Sequence, residues 1–102
     1  MNKKEKEYIK ELKEDKATGA MIEDNKTGGY KIRVIERGER LFYQQGNRGL
    51  LCEIQIRNGA IFSESIKEWD NNEKVTQEEK NLILDRLKSY FINFQGQTPI
   101  VH

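Results

Sequence analysis

The chain has 102 residues, of which 35% are hydrophobic and 34% are charged, and its mean hydropathy is -0.88. Its 18 lysines and arginines stand against 17 aspartates and glutamates, so the formal net charge is +1. This length predicts one domain with a single modest core. A nearly neutral balance argues against a general nucleic-acid or anionic-membrane binder, which normally carries a clear basic excess.

The ends of the chain and its cysteine content bear on compartment and chemistry. Residues 1–12 are charged throughout and lack the apolar stretch of a signal peptide. The longest uncharged stretch, 89–101, is too short for a transmembrane helix, which needs about 20 predominantly apolar residues. The single cysteine, Cys52, excludes an intrachain disulfide and any multi-cysteine metal site. We therefore expect a soluble cytoplasmic protein without membrane association.

The first 29 residues predict a charged arm and a linker. The arm alternates lysine and glutamate around a narrow helical stripe of Tyr8, Ile9 and Leu12. An isolated helix of that length is marginal in water. Residues 15–29 contain three glycines and no periodicity. We expect a weak N-terminal helix or a disordered arm, followed by a single domain over 30–102.

Four short strands follow the linker, separated by turn signals. The first begins at Tyr30, and the others span Arg40–Gln45, Leu50–Arg57 and Ala60–Ser65. Asn58-Gly59 is a dipeptide suited to a hairpin turn. The register of that hairpin stays open, because a two-residue loop pairs Ile56 with Ile61 and a three-residue loop pairs Ile56 with Phe62.

A capping box predicts the start of a long C-terminal helix. In Thr76-Gln77-Glu78-Glu79, the Thr76 hydroxyl can accept from the Glu79 amide while the Glu79 carboxylate reaches back. The periodicity runs to about Phe94 and gathers one apolar face from Ile83, Leu87, Tyr90, Phe91 and Phe94. Ile92 points away, so we expect it to be exposed or covered by the arm. Residues 97–101 predict a short edge strand or an extended tail.

The order of these elements predicts an α+β two-layer domain. Its expected architecture is a four-stranded antiparallel meander, with the long C-terminal helix packed on one face of the sheet. The N-terminal helix or arm is an addition to that unit. The oligomeric state stays open.

No pattern of chemistry-bearing residues predicts catalysis. Cys52 lies in an apolar run, and the only histidine is the terminal His102, so a thiol–imidazole pair is not expected. The glycine-rich segment 46–49 lacks the length and the following helix of a phosphate loop. The polar segment 70–73 lacks the rest of a calcium-binding loop. We predict no enzymatic activity, no metal and no cofactor.

Charge is unevenly distributed along the chain. Residues 30–51 carry a net charge of +3, whereas residues 64–79 carry six acidic and two basic side chains, a net charge of -4. A solvated surface or an acidic contact face for a basic partner would both produce this pattern. Trp69 lies within the acidic segment and is either part of the core or a contact anchor. The predicted partner-binding residues are Glu64, Glu68, Trp69, Asp70, Glu73 and Glu78.

The stretch from Gly59 to Phe91 resembles the family known as immunity protein 74. The resembling features are Ile61-Phe62-Ser63, the run Ser65–Asp70 with its tryptophan, and the run Val75–Lys80 followed by Ile83. Asn71-Asn72 stand where the family often has proline, and the charged arm has no counterpart. The family consists of small bacterial proteins expected to neutralise polymorphic toxins. The resemblance implies an immunity protein that binds a cognate toxin domain stoichiometrically.

An alternative hypothesis is a nucleic-acid-binding or regulatory protein. Its binding residues would come from the basic strands 30–48, with base stacking on nearby aromatic rings. The cationic candidates are Arg33, Arg37, Arg40 and Arg48, and the stacking candidates are Tyr30, Phe42 and Tyr43. The near-zero net charge disfavours this alternative.

Overall fold

Six strands form one mixed sheet in the computed structural model, which describes residues 1–15, 20–24 and 28–102. The elements in chain order are α1 (Lys3–Glu14), β1 (Ala20–Asp24), β2 (Gly28–Ile35), β3 (Arg40–Gln45), β4 (Arg48–Gln55), β5 (Ala60–Ile61), α2 (Gln77–Gln95) and β6 (Ile100–Val101). Sheet order follows chain order, with antiparallel neighbours except for β6, which runs parallel to β5. Neither helix in the described part of the chain has the length and apolarity to cross a membrane.

The predicted α+β class is confirmed, but the sheet is larger than the four-stranded meander that we predicted. β1 lies within the segment expected to be linker, and it pairs with β2 from Ala20 opposite Ile32 to Asp24 opposite Gly28. Pairing with a neighbouring strand satisfies its backbone groups even where the local sequence has weak strand character. The remaining linker residues, 16–19 and 25–27, lie outside the described residues.

α2 begins at the predicted capping box and covers one face of the sheet. Thr76 Oγ1 accepts from the Glu79 amide at 3.1 Å, and Glu79 Oε1 accepts from the Thr76 amide at 2.9 Å. The predicted core residues Ile83, Leu87, Tyr90 and Phe91 are buried. The prediction for Phe94 is wrong, because its side chain is 58% exposed and its ring stacks on that of Tyr90 instead of entering the core.

α1 is a docked helix and covers the opposite face of the sheet. Ile9 and Leu12 are 0% and 5% exposed and pack in a cluster with Phe42. Gly49 permits this close approach, since a Cβ there would lie 3.0 Å from Ile9 Cγ2. Helices therefore flank both faces, which corrects the predicted two-layer arrangement. Ile92, on the outer side of α2, is exposed.

The β4–β5 hairpin has a register that differs from both predicted alternatives. Ile54 pairs with Ile61, so four residues connect the strands and Ile56 has no cross-strand partner. The connection contains a short 3₁₀ turn, Ile56–Asn58, closed by Gly59 in the left-handed region at φ 64°. The predicted fourth strand is also shorter, because β5 stops at Ile61.

Candidate binding surface

The connection between β5 and α2, residues 62–76, contains most of the predicted partner-binding residues. Short backbone hydrogen bonds close it into a compact loop. The Trp69 amide donates to the Glu73 carbonyl at 2.9 Å, and the Asp70 amide donates to the Gly49 carbonyl on β4 at 2.9 Å. This loop is therefore ordered by its own backbone and by its attachment to the sheet.

Trp69 anchors the 62–76 loop in the core. Its side chain is 0% exposed, and its ring lies 6.2 Å from that of Tyr43. The Arg48 guanidinium lies 4.3 Å from the ring centroid, and the indole Nε1 donates to Glu79 at 3.4 Å. Of the two alternatives for Trp69, the structure has the core residue, since the ring is fully covered by its own chain. Trp69 positions the loop from within.

Two acidic residues of the loop are engaged by the N-terminal segment. Lys13 of α1 forms an ion pair with Asp70, whose Oδ1 also accepts from the Gly49 amide at 3.1 Å. The amino group of Met1 forms an ion pair with Glu68. The hydrogen bond that the Met1 amino group donates to Glu68 holds the pKa of this carboxyl below its ordinary value. Asp70 therefore connects the loop to α1, and Glu68 connects it to the start of the chain.

Arg48 connects the same loop to the start of α2. Its guanidinium lies 2.8 Å from a carboxylate oxygen of Glu79 and 3.8 Å from one of Glu73. Burial raises the pKa of the Glu79 carboxyl, but hydrogen bonds from Thr76, Trp69 and Arg48 outweigh that effect and leave the pKa below its ordinary value. Glu79 is therefore ionised at neutral pH and partners the arginine.

In the folded chain, the net charge around the acidic segment 64–79 is much less negative than the net charge of the segment itself. The Met1 amine, Lys13 and Arg48 add three positive groups, which change its net charge from -4 to -1. Among the predicted contact residues, the exposed Glu64 and Glu78 form no ion pair with the described residues. Long-range pairing therefore removes most of the acidic field that the sequence predicted.

The basic strands are paired in a similar way. Arg33 lies 2.9 Å from Asp15, and Arg40 forms two hydrogen bonds with Glu36. The aromatic residues proposed for base stacking are buried: Tyr30, Phe42 and Tyr43. This arrangement removes the stacking residues on which the nucleic-acid alternative depends.

Two of those aromatic residues form a buried polar contact with α2. The Arg86 guanidinium donates to the Tyr43 hydroxyl at 2.6 Å and lies 4.2 Å from the ring centroid of Tyr30. Burial raises the pKa of Tyr43, which keeps the hydroxyl protonated. Arg86 is absent from the predicted core residues, because a charged residue on the helix face gives no local signal of burial. Its contacts fix α2 on the sheet.

Cys52 is a core residue and is poorly suited to nucleophilic chemistry. Burial raises the pKa of its thiol to about 11, against a smaller opposing effect of the hydrogen bond from Ser65. The thiol is therefore protonated at neutral pH, whereas the thiolate is the reactive form. Within residues 1–15, 20–24 and 28–102, no group of three His, Cys, Asp or Glu side chains could hold a metal ion.

A second surface feature lies at the other end of β4, where the connections 36–39 and 56–59 meet. They pack closely because Gly38 lies against Ile56, and a Cβ at Gly38 would lie 2.1 Å from Ile56 Cγ2. An open cleft of about 380 Å³ is lined there by Arg37, Gly38, Glu39, Gln55, Ile56, Arg57 and Asn58. We call it the Arg37–Arg57 cleft. This cleft was not predicted from the sequence, although an antiparallel meander places both turns at one end of the sheet.

The first of these connections has an unusual backbone. Glu36 and Arg37 adopt positive φ values of 52° and 58°. For such residues the left-handed conformation costs roughly 1–2 kcal/mol each. Among the described residues, every other positive-φ position is glycine except Asn72, a residue type that tolerates this conformation. Two charged residues thus occupy backbone positions at which glycine would be less strained.

Comparisons with known proteins assign no family to the chain. It matches no family model, no curated protein and no solved structure. The resemblance to immunity protein 74 over residues 59–91 stays a prediction that depends on the residues quoted for it.

Proposed function

We propose that this chain is a small binding protein that neutralises a cognate bacterial toxin domain by stoichiometric contact. The proposal assigns it no catalytic step and no cofactor, and places it in the cytoplasm. Its toxin partner is suggested by the resemblance over residues 59–91. The supporting structural observation is the 62–76 loop, which is held in one shape while its outward side chains stay accessible.

Preorganisation is the physical advantage of such a loop. A partner that binds a loop already fixed by Trp69, Lys13 and Arg48 does not have to order it, so less free energy is lost on association. The 62–76 loop contains only a short 3₁₀ turn, Ser63–Ser65, and one bridge between Glu68 and Lys74. Connections longer than about 12 residues with so little regular structure are usually functional or disordered. This one is fixed by named contacts, which favours a functional interpretation.

The proposed contact face consists of the exposed side chains of the acidic segment. Glu64, Glu73 and Glu78 are exposed, whereas Glu68 and Asp70 are half-buried at its edge. Because the local net charge is small, recognition depends on direct contacts with these carboxylates more than on a long-range field. Trp69 acts as the residue that positions the face.

The test begins with the gene beside the one that encodes this chain. If the proposal is correct, that neighbour encodes a secreted toxin, and its toxin domain arrests growth unless this chain is co-expressed. Size-exclusion chromatography should then show a one-to-one complex. A neighbouring toxin domain that forms no complex and is not neutralised would overturn the proposed function.

The contact face is tested separately by charge reversal. The variant E64K/E73K/E78K should lower affinity for the toxin domain at least about tenfold in calorimetry, since like charges across an interface are strongly disfavoured. The control E7K/E11K/D85K changes charge by the same amount at exposed positions of α1 and α2 and should stay within about twofold. Equal affinities for both variants would exclude this face and leave the function intact.

A further inference from the structure

We propose that the Arg37–Arg57 cleft is a second binding site, which takes a carboxylate side chain from an acidic peptide segment of a partner. It lies at the Gln55 end of β4, whereas the 62–76 loop meets β4 at Gly49. The site is therefore separate from the proposed contact face. It does not depend on the identity of the toxin.

The surface arginines differ in whether they form an ion pair within the chain. Arg33, Arg40 and Arg48 each have a carboxylate within the chain. Arg37 and Arg57 are exposed and form no ion pair with the described residues. Both residues line one cleft and neither is ion-paired within the described chain, so their guanidinium groups are available to an external acid.

The left-handed backbone at Arg37 also favours a ligand at the cleft. Its neighbour Glu36 has an internal role, because its carboxylate binds Arg40. Arg37 makes no hydrogen bond or ion pair with the described residues, although glycine would adopt φ 58° more readily. Strained residues of this kind gather at ligand-binding sites. An arginine at this strained position, with no partner among the described residues, favours a ligand outside the chain.

The side-chain amide of Gln55 adds a further hydrogen-bond donor to the cleft. Asn58 Nδ2 donates to Gln55 Oε1 at 3.0 Å, which fixes the orientation of the Gln55 amide. The Gln55 NH₂ group then stays available to donate to a ligand. Two forked guanidinium groups and an amide NH₂ form a donor set suited to the planar oxygens of a carboxylate.

The charge of the cleft favours a single carboxylate over a phosphate. Glu39 also lines it, so its formal charge is +1 from Arg37, Arg57 and Glu39. A phosphate would bring more than one negative charge beside the Glu39 carboxylate, and like charges at close range repel. An acidic side chain supplies one negative charge and matches the balance.

The test is an NMR titration of the full chain with three probes. Acetyl-Glu-Asp-Glu-amide should shift the side-chain Nε–H signals of Arg37 and Arg57 and the Gln55 amide, with saturation. Acetyl-Gln-Asn-Gln-amide should produce no such shift. Inorganic phosphate should require a higher concentration than the acidic peptide. Shifts spread over surface lysines, or tighter binding of phosphate, would overturn the proposal.

Substitution completes the test. The variant R37Q/R57Q should weaken binding of the acidic peptide at least about tenfold, because it removes both ionised donors. The matched control K3Q/K4Q, on the exposed face of α1, should leave binding unchanged. R57Q alone leaves the strained turn untouched and should weaken binding about threefold or more, which separates recognition from folding. Unchanged binding by R37Q/R57Q or by R57Q would contradict the assignment.

Discussion

The two ends of β4 differ in how their charges are used. At the Arg48 end, carboxylates of the 62–76 loop pair with cations on α1, on β4 and at the chain start. At the Gln55 end, Arg37 and Arg57 have no acid partner among the described residues. In the sequence the whole acidic end has the pattern of a recognition surface, yet in the fold its half-buried carboxylates stabilise the structure and only the exposed ones stay available to a partner. A run of like charge is therefore a weaker guide to recognition than charge left unpaired after folding.

The largest expected loss of stability comes from removing Trp69, which anchors the 62–76 loop at the Arg48 end of β4. Trp69→Ala should lower the free energy of unfolding by about 3–5 kcal/mol, because it empties a fully buried site below the loop. Urea denaturation followed by circular dichroism measures it. At the other end, Arg57→Ala should change stability by less than about 0.5 kcal/mol. Similar losses of stability for both variants would contradict the difference proposed between the two ends of β4.

The docking of α1 should contribute the next largest effect. Ile9→Ala should cost about 2–4 kcal/mol, since Ile9 is 0% exposed and packs near Phe42. The exposed Lys10→Ala, one position along the same helix, serves as its control and should have little effect. An Ile9→Ala protein as stable as the Lys10→Ala protein would show that α1 is a free arm in solution.

Carboxylates that form an ion pair should contribute more to the free energy of unfolding than carboxylates that form none. Asp70→Ala removes the partner of Lys13 and the acceptor of the Gly49 amide, so we expect a loss of about 1–3 kcal/mol. Glu64→Ala, within the same acidic segment but without an ion pair among the described residues, should stay within about 0.5 kcal/mol. Thermal unfolding of the two variants side by side makes the comparison. If Glu64→Ala were the more destabilising change, the assignment of paired and free carboxylates would be wrong.

The Glu79 carboxylate should make stability depend on pH. Its pKa is lowered in the folded protein from an ordinary value of 4.5, so its contribution is present above about pH 4.5 and is lost as the pH falls further. At pH 7, Glu79→Gln should cost roughly 1 kcal/mol. The difference in stability between the two proteins should narrow as the pH falls below about 4.5. A constant difference from pH 7 to pH 3 would exclude an ionised partner for Arg48.

The smallest expected effect has the opposite sign. Arg37→Gly relieves a left-handed residue, which gains roughly 1–2 kcal/mol, while the added freedom of the unfolded chain costs about 0.5–1 kcal/mol. We expect a net stabilisation of about 0.5 kcal/mol together with weaker binding of the acidic peptide. Calorimetric unfolding and the peptide titration measure the two effects. A destabilised Arg37→Gly protein would show that Arg37 serves the fold.

The features that the sequence predicted correctly depend on residues close together in the chain. The capping box joins Thr76 and Glu79, three positions apart, and its geometry is as expected. The buried face of α2 through Leu87 follows from helical periodicity. Each signal needs only the local backbone conformation to be interpreted.

The features that the sequence missed depend on contacts between distant residues. β1 forms because β2 lies beside it, although its own segment looks like linker. The stripe on α1 is narrow, and its burial required knowing that the sheet had a second apolar face. Lys13 neutralises Asp70 across 57 positions of sequence, which no local charge count detects. The same reason hid the meeting of the two connections at Gly38.

Amide hydrogen exchange across residues 67–76 tests the central claim most directly, namely that this loop is fixed before any partner binds. The amides of Trp69, Asp70 and Val75 donate to carbonyls at 2.9 Å and should exchange slowly, while the Asn71 and Lys74 amides exchange faster. This pattern in the isolated protein would support a preorganised loop held by Trp69. Exchange of all these amides at unfolded-chain rates would contradict it.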